Sequence, residues 1–109
     1  MSSSAPRAAL VLTTIAAEAD GAAFARTLVE EQLAACVNLM PVRSIYRWQG
    51  KLEDDGETLA IIKTTRERYD DLATRLRALH PYEVPEILVL PIADGGASYL
   101  AWLEESTRA

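Results

Sequence analysis

The stretch Ala8-Ala9-Leu10-Val11-Leu12-Thr13-Thr14-Ile15 decides how the whole chain is read. Arg7 precedes it and Ala17-Glu18-Ala19 follows it with the small-x-small form of a signal-peptidase site, so one reading is an exported leader. The residue types favour the other reading. Val11, Thr13, Thr14 and Ile15 are β-branched, the apolar run is short, and two threonines interrupt it, all of which suit a buried strand. Taken as a strand, it is also the sheet partner that the following amphipathic segment needs.

Working outward, Asp20 and Gly21 open a helix expected to run to about Ala35, with Ala22, Ala25, Leu28, Val29 and Leu33 on one stripe. Cys36 to Met40 reads as a second strand broken by Pro41 and resuming from Val42 to Gln49, where Ser44, Tyr46 and Trp48 share one side. Asp54-Asp55-Gly56 has turn composition, and Glu57 to Thr64 reads as the strand after it, which makes a long hairpin. Thr64-x-x-Glu67 resembles a capping box, with Thr64 or Thr65 capping a helix striped by Tyr69, Leu72, Leu76 and Leu79. His80-Pro81 ends that helix, Ile87 to Leu90 forms a fourth strand stopped by Pro91, and Gly95-Gly96 precedes a short helix with Tyr99, Leu100, Trp102 and Leu103.

The order βαββαβ plus a helix is an α+β, ferredoxin-like sandwich: four antiparallel strands, two helices on one face, an extended hairpin and a C-terminal helix. The strands are apolar on both sides, as in Ala9-Leu10-Val11-Leu12 and Ala60-Ile61-Ile62, so the second sheet face also needs a cover. Self-association is the economical one.

With 109 residues the chain is long enough for one core, expected over residues 8–109 behind a tail spanning 1–7 and frayed from Met1 to Pro6. A net charge of -5 argues against nucleic acid or an anionic membrane as the main partner, and no segment is long enough to span a bilayer. Cys36 is the only cysteine and cannot form an internal disulfide, which fits a reducing compartment, although a lone thiol could also serve redox or metal chemistry. P-loop, dinucleotide and serine-elbow signatures are absent, so an enzyme would have to assemble Cys36, His80 and Lys63 in one cleft; the expectation is a non-enzymatic protein.

Chemistry concentrates at the corner His80-Pro81-Tyr82-Glu83-Val84-Pro85-Glu86-Ile87. Pro81 and Pro85 hold the residues before them extended, so the only imidazole is aimed. It could be a metal ligand, a proton carrier, or a polar group satisfied at a core edge. Cys36 is the softest donor, or a small buried hydrophobe. Tyr46, Trp48 and Lys51 along the hairpin could line a pocket between subunits or simply pack across strands, and Lys63 on an apolar strand needs a carboxylate or an anionic ligand. Glu53, Asp54, Asp55 and Glu57 read as a solvated acidic loop, and only weakly as a site for a hard cation.

Ala34-Ala35-Cys36-Val37-Asn38, Ser44-Ile45-Tyr46-Arg47-Trp48-Gln49-Gly50-Lys51, Ile62-Lys63-Thr64-Thr65, the His80-to-Glu86 corner and Tyr99-Leu100-Ala101-Trp102-Leu103 occur together and in order. Over residues 8 to 109 the chain thereby resembles the CutA divalent-cation tolerance family. The resemblance implies a PII-like homotrimer in the bacterial cytoplasm, copper tolerance, and binding of Cu(II) or another divalent metal. The family's metal proposal uses a first-strand cysteine and two adjacent histidines; those positions are here Thr13, Leu79 and His80, and only His80 matches. A weak metal site would then join His80 to Glu83, Cys36 or groups of a neighbouring subunit. The alternative implied is a PII-like signalling trimer that holds a small anionic ligand or a protein partner in clefts between subunits, with Lys63, Tyr46, Trp48, Tyr82 and Glu86 as contacts.

Overall fold

Strand β1, Ala8–Ala16, lies inside the sheet because both of its edges are paired, and its residues are correspondingly buried or half-buried throughout. The computed structural model describes residues 7–108; the frayed tail expected over Met1 to Pro6 lies outside them. Helix α1 (Gly21–Glu30) leads to the long hairpin of β2 (Cys36–Trp48) and β3 (Lys51–Thr65), then α2 (Tyr69–Leu79), β4 (Leu88–Pro91) and α3 (Ala97–Ser106). The sheet order is β2-β3-β1-β4, antiparallel at every pairing. This is the expected ferredoxin-like arrangement.

On one face, Val11, Ala60 and Ile62 meet Leu28 of α1 and Leu72 and Leu76 of α2 in the main core. Deleting one of these leucines would leave a cavity and cost about 2–5 kcal/mol. On the other face α3 covers one end, seating Leu103 on Ala8 and Ala35. Register places Leu10, Lys63 and Cys36 in one row of this second face and Leu12, Ile61 and Asn38 in the next. Leu88, Leu90 and Met40 remain exposed there, as a sheet apolar on both sides requires.

Four local expectations are corrected. Helix α1 stops at Glu30 rather than near Ala35, because Gln32 takes φ 59 and Ala35 N–H already donates to Lys63 O at 2.8 Å, committing the chain to the sheet. Pro41 does not break β2, since β2 is an edge strand on which a missing N–H is tolerated; Pro91 sits within edge strand β4 for the same reason. Asp54-Asp55-Gly56 is not the hairpin turn. Gln49 (φ 50) and Gly50 (φ 79) make a two-residue turn with both φ positive, the hand that matches strand twist, and β3 runs straight through the acidic residues. Arg43 grips Asp54 bidentately at 2.8 and 2.7 Å across the ladder. Lastly, Thr64 is no helix cap. It is buried in β3 and its Oγ1 donates to Leu33 O at 2.7 Å; the other candidate, Thr65, accepts from Arg68 N–H at 3.3 Å in the turn before the helix, while α2 itself begins only at Tyr69, behind Arg68, which makes no side-chain cap.

Candidate functional site

His80 explains how the corner is fixed. Ala8 O accepts from Ile92 N–H at 3.0 Å, so the even-numbered residues of β1 aim their backbone groups at β4. Strand β4 ends opposite Leu12, which leaves the Thr14 carbonyl beyond it. His80 Nε2 lies 2.6 Å from that oxygen, and Nδ1 accepts from Tyr82 N–H at 3.3 Å. Both bonds are made only by the neutral tautomer protonated at Nε2. The imidazole, buried and tilted 4.5 Å from the Tyr82 ring, thus continues the sheet where the strand stops.

That anchoring carries the corner over an open cleft of about 990 Å³. Its walls are the end of β1 with Ala17 and Glu18, the hairpin residues Ser44, Tyr46, Trp48, Asp55 and Glu57, and the corner residues Tyr82, Glu83 and Glu86. Tyr82 O–H donates to Glu57 Oε2 at 2.9 Å, and Tyr46 O–H to Asp55 Oδ2 at 2.8 Å. The Asp55 bond, with desolvation and the nearby carboxylate charges, pushes Tyr46 up to about 12. Burial first, then Glu57, pushes Tyr82 up to about 12. Both phenols therefore stay protonated at neutral pH and orient the carboxylates as fixed donors. Glu57 is only 8% exposed, and among the described residues the lining contains five carboxylates and no lysine, arginine or histidine. The arrangement attracts cations.

The structure brings Tyr46, Trp48, Tyr82, Glu83 and Glu86 together in this cleft and leaves Lys63 and Cys36 out of it. Lys63 Nζ bonds to Asn38 Oδ1 and lies 3.7 Å from Cys36 Sγ, in the sheet row of Leu10, four residues along β1 from the carbonyl that holds His80. Cys36 and His80 are thus not partners, and among the described residues Lys63 forms no ion pair with a carboxylate. A transition ion gathers three or four nitrogen, sulfur or carboxylate donors. Among the described residues no three such groups converge, and both nitrogens of His80 are already engaged, so a His80–Glu83–Cys36 copper site does not fit one subunit. Sequence reading undervalued Glu18, Asp55 and Glu57. The signal was the two-residue spacing of Glu53, Asp55 and Glu57, which puts them on the Tyr46 face once the turn is set at Gln49-Gly50.

A β2-β3-β1-β4 antiparallel sheet with two helices on one face, a third at one end of the other, a long hairpin and a cleft at its base defines the ferredoxin-like, PII-like class of protein. Residues 9–106 match the family model described as CutA1 divalent ion tolerance protein, and the chain belongs to that family. It is 52% identical over 99 residues to the divalent-cation tolerance protein CutA of Thermus thermophilus, covering 90% of this chain and 96% of that protein. The solved structure of the divalent cation tolerance protein (Cut A1) from Thermus thermophilus superposes with a TM-score of 0.88 at 50% identity, over 93% of this chain and 99% of that one. The PII-like protein CutA from Nostoc sp. PCC 7120 in apo form gives a TM-score of 0.86 at 35% identity, over 92% and 97%. Membership supports a role in divalent-cation tolerance. Among the described residues no helix is long and apolar enough to cross a membrane.

Proposed function

We propose that this chain, folded as one domain over residues 8–109, acts as a cytoplasmic, non-enzymatic homotrimer that takes up divalent cations weakly in the carboxylate-lined cleft. The observation that carries the reading is the lining itself: Glu18, Asp55, Glu57, Glu83 and Glu86 without a basic residue among them. Among the described residues no three of these carboxylates converge on one point, so an ion would be held mainly through its own water at low affinity, and Cu(II) is one ion among several here rather than a selected one. The exposed Leu88, Leu90 and Met40 beside the half-buried Leu10, Leu12 and Ile61 support self-association through the second sheet face. The free thiol of Cys36 suits a reducing compartment. An anion in the cleft is the poorer reading, because Lys63 does not line it.

Titration calorimetry of the assembled protein with Mn(II) and Cu(II) tests the proposal. The expected dissociation constants are on the order of 0.1–1 mM and rise with salt. Glu57→Gln should weaken both ions, whereas His80→Gln, which keeps a donor for Thr14, should leave both unchanged within about twofold, a difference of about 0.4 kcal/mol. Copper binding abolished by His80→Gln and retained by Glu57→Gln would return the site to the imidazole. A stably folded monomer in sedimentation would reject the trimer.

A further inference from the structure

The corner over the cleft has almost no backbone bonding of its own. Among the described residues, 81–86 form no backbone–backbone hydrogen bond, and Pro81 and Pro85 have no N–H to give. Bonds to two side chains tie the corner down near its start: Tyr82 N–H donates to His80 Nδ1 at 3.3 Å, and Tyr82 O–H to Glu57 Oε2 at 2.9 Å. The first of these depends on the charge of one ring. Nε2 carries the proton that goes to Thr14 O, at 2.6 Å, so Nδ1 accepts only while the imidazole is neutral. A second ring proton would sit on Nδ1 and point at the Tyr82 N–H, donor against donor.

His80 is the chain's only histidine, and it is buried. Helix α2 brings exposed Arg77 to its surroundings, β1 the Thr14 carbonyl with Glu18 beyond it, the corner Tyr82 and Glu83, and β3 Glu57, bonded to Tyr82. Tyr82, pushed up to about 12 by burial and then by Glu57, stays a neutral phenol across the range in which imidazoles ordinarily charge, about pH 5–8. Among the described residues no carboxylate forms an ion pair with the ring, so a proton gained there meets no counter-charge in place. The Thr14 bond survives protonation because Nε2 keeps its hydrogen. The Tyr82 bond does not, and with its N–H turned away Tyr82 draws its phenol from Glu57.

We propose that His80 is a pH-operated latch on the corner: acid charges the ring, the Tyr82 N–H is expelled, and the phenol leaves Glu57 while the Thr14 anchor holds. The stability that the two Tyr82 bonds contribute is thus present with the neutral ring and lost as falling pH charges it. The latch rests on the corner alone; only its effect on ion uptake rests on reading the cleft as a cation site. Nitrogen-15 NMR of the assembled protein between about pH 8 and about pH 5 tests it. At the upper end the ring should show Nε2 protonated and Nδ1 bare. As Nδ1 takes its proton, the amides of Tyr82, Glu83 and Val84 should shift with the same midpoint and those of Ala9 to Leu12 should not. His80→Gln, which cannot charge, should abolish the step. In Mn(II) calorimetry wild type and His80→Gln should agree within about twofold at the upper end, and wild type should bind about three- to tenfold more weakly than the variant at the lower end, the worth of one lost hydrogen bond. A ring that stays neutral to the acid end, a ring that charges without moving these amides, or a corner step that persists in His80→Gln each overturn the latch. The first two outcomes are read on wild type and decide the matter if the variant fails to fold. A corner step seen by NMR with no Mn(II) binding at any pH leaves the latch standing and removes the cation reading.

Discussion

Replacing His80 with alanine should destabilise the protein by about 2–4 kcal/mol, and the magnitude follows from what the ring touches. The substitution leaves the Thr14 carbonyl, now bonded at 2.6 Å, without a donor in a buried position. An orphaned buried acceptor costs about 1–3 kcal/mol. Tyr82 N–H also loses its acceptor, and the packing of the imidazole against the Tyr82 ring at 4.5 Å is removed, adding about 1 kcal/mol. Urea unfolding at fixed protomer concentration measures the sum, because assembly makes apparent stability concentration-dependent. Amide exchange locates it: Tyr82 N–H should lose protection while the Ala9–Leu12 pairing with β4 keeps its own. His80→Gln, with a side-chain amide able to donate to Thr14 O, should recover at least half of the loss. A cost for His80→Ala below about 0.5 kcal/mol, the size of an ordinary surface substitution, would refute the structural role of the ring.

Thr13 and Thr64 are both fully buried, but only Thr64 Oγ1 has a partner among the described residues, so valine should stabilise by about 1 kcal/mol at position 13 and destabilise by about 1 kcal/mol or more at 64, read from denaturant midpoints. Gly50→Ala should cost about 1 kcal/mol, since φ 79 is strained for any residue with a Cβ; an unchanged melting temperature would place the turn elsewhere. Ultraviolet titration should show two of the four tyrosines ionising near 12. Because those folded values lie above the ordinary 10.0, the stability they contribute is complete below about pH 10 and lost as pH rises toward 12, and Tyr82→Phe should remove one of the late steps.

The topology was legible because residue type and periodicity are local properties: the short β-branched run of β1 and the helical stripes in α1 and α2 survive without knowledge of the partners. The hairpin turn was not, since Asp54-Asp55-Gly56 carries more turn-like residue types than Gln49-Gly50, and only pairing energy along the full ladder decides between them. That single displacement hid the site. With the turn at the acidic run, Asp55 and Glu57 belong to a loop; with the turn at Gln49-Gly50 they alternate on the strand face that carries Tyr46. The end of α1 was equally hidden, because nothing in Gln32 announces a left-handed conformation that its neighbours impose.

His80 shows why residue type alone does not assign a role. An imidazole aimed by a following proline is equally suited to a metal and to a carbonyl, and the choice depends on which acceptor the fold leaves open. Here β4 ends one pairing too early for Thr14, and the ring closes the gap from a helix end 66 residues away. Occupied there, it cannot donate a lone pair from Nε2, and the lone pair of Nδ1 is spent on Tyr82 N–H. The same engagement places Tyr82 against Glu57 and so shapes the cleft. The histidine therefore bears on ligand binding through geometry: a variant that frees the corner should lose cation affinity in proportion to Tyr82 disorder, even with every carboxylate intact.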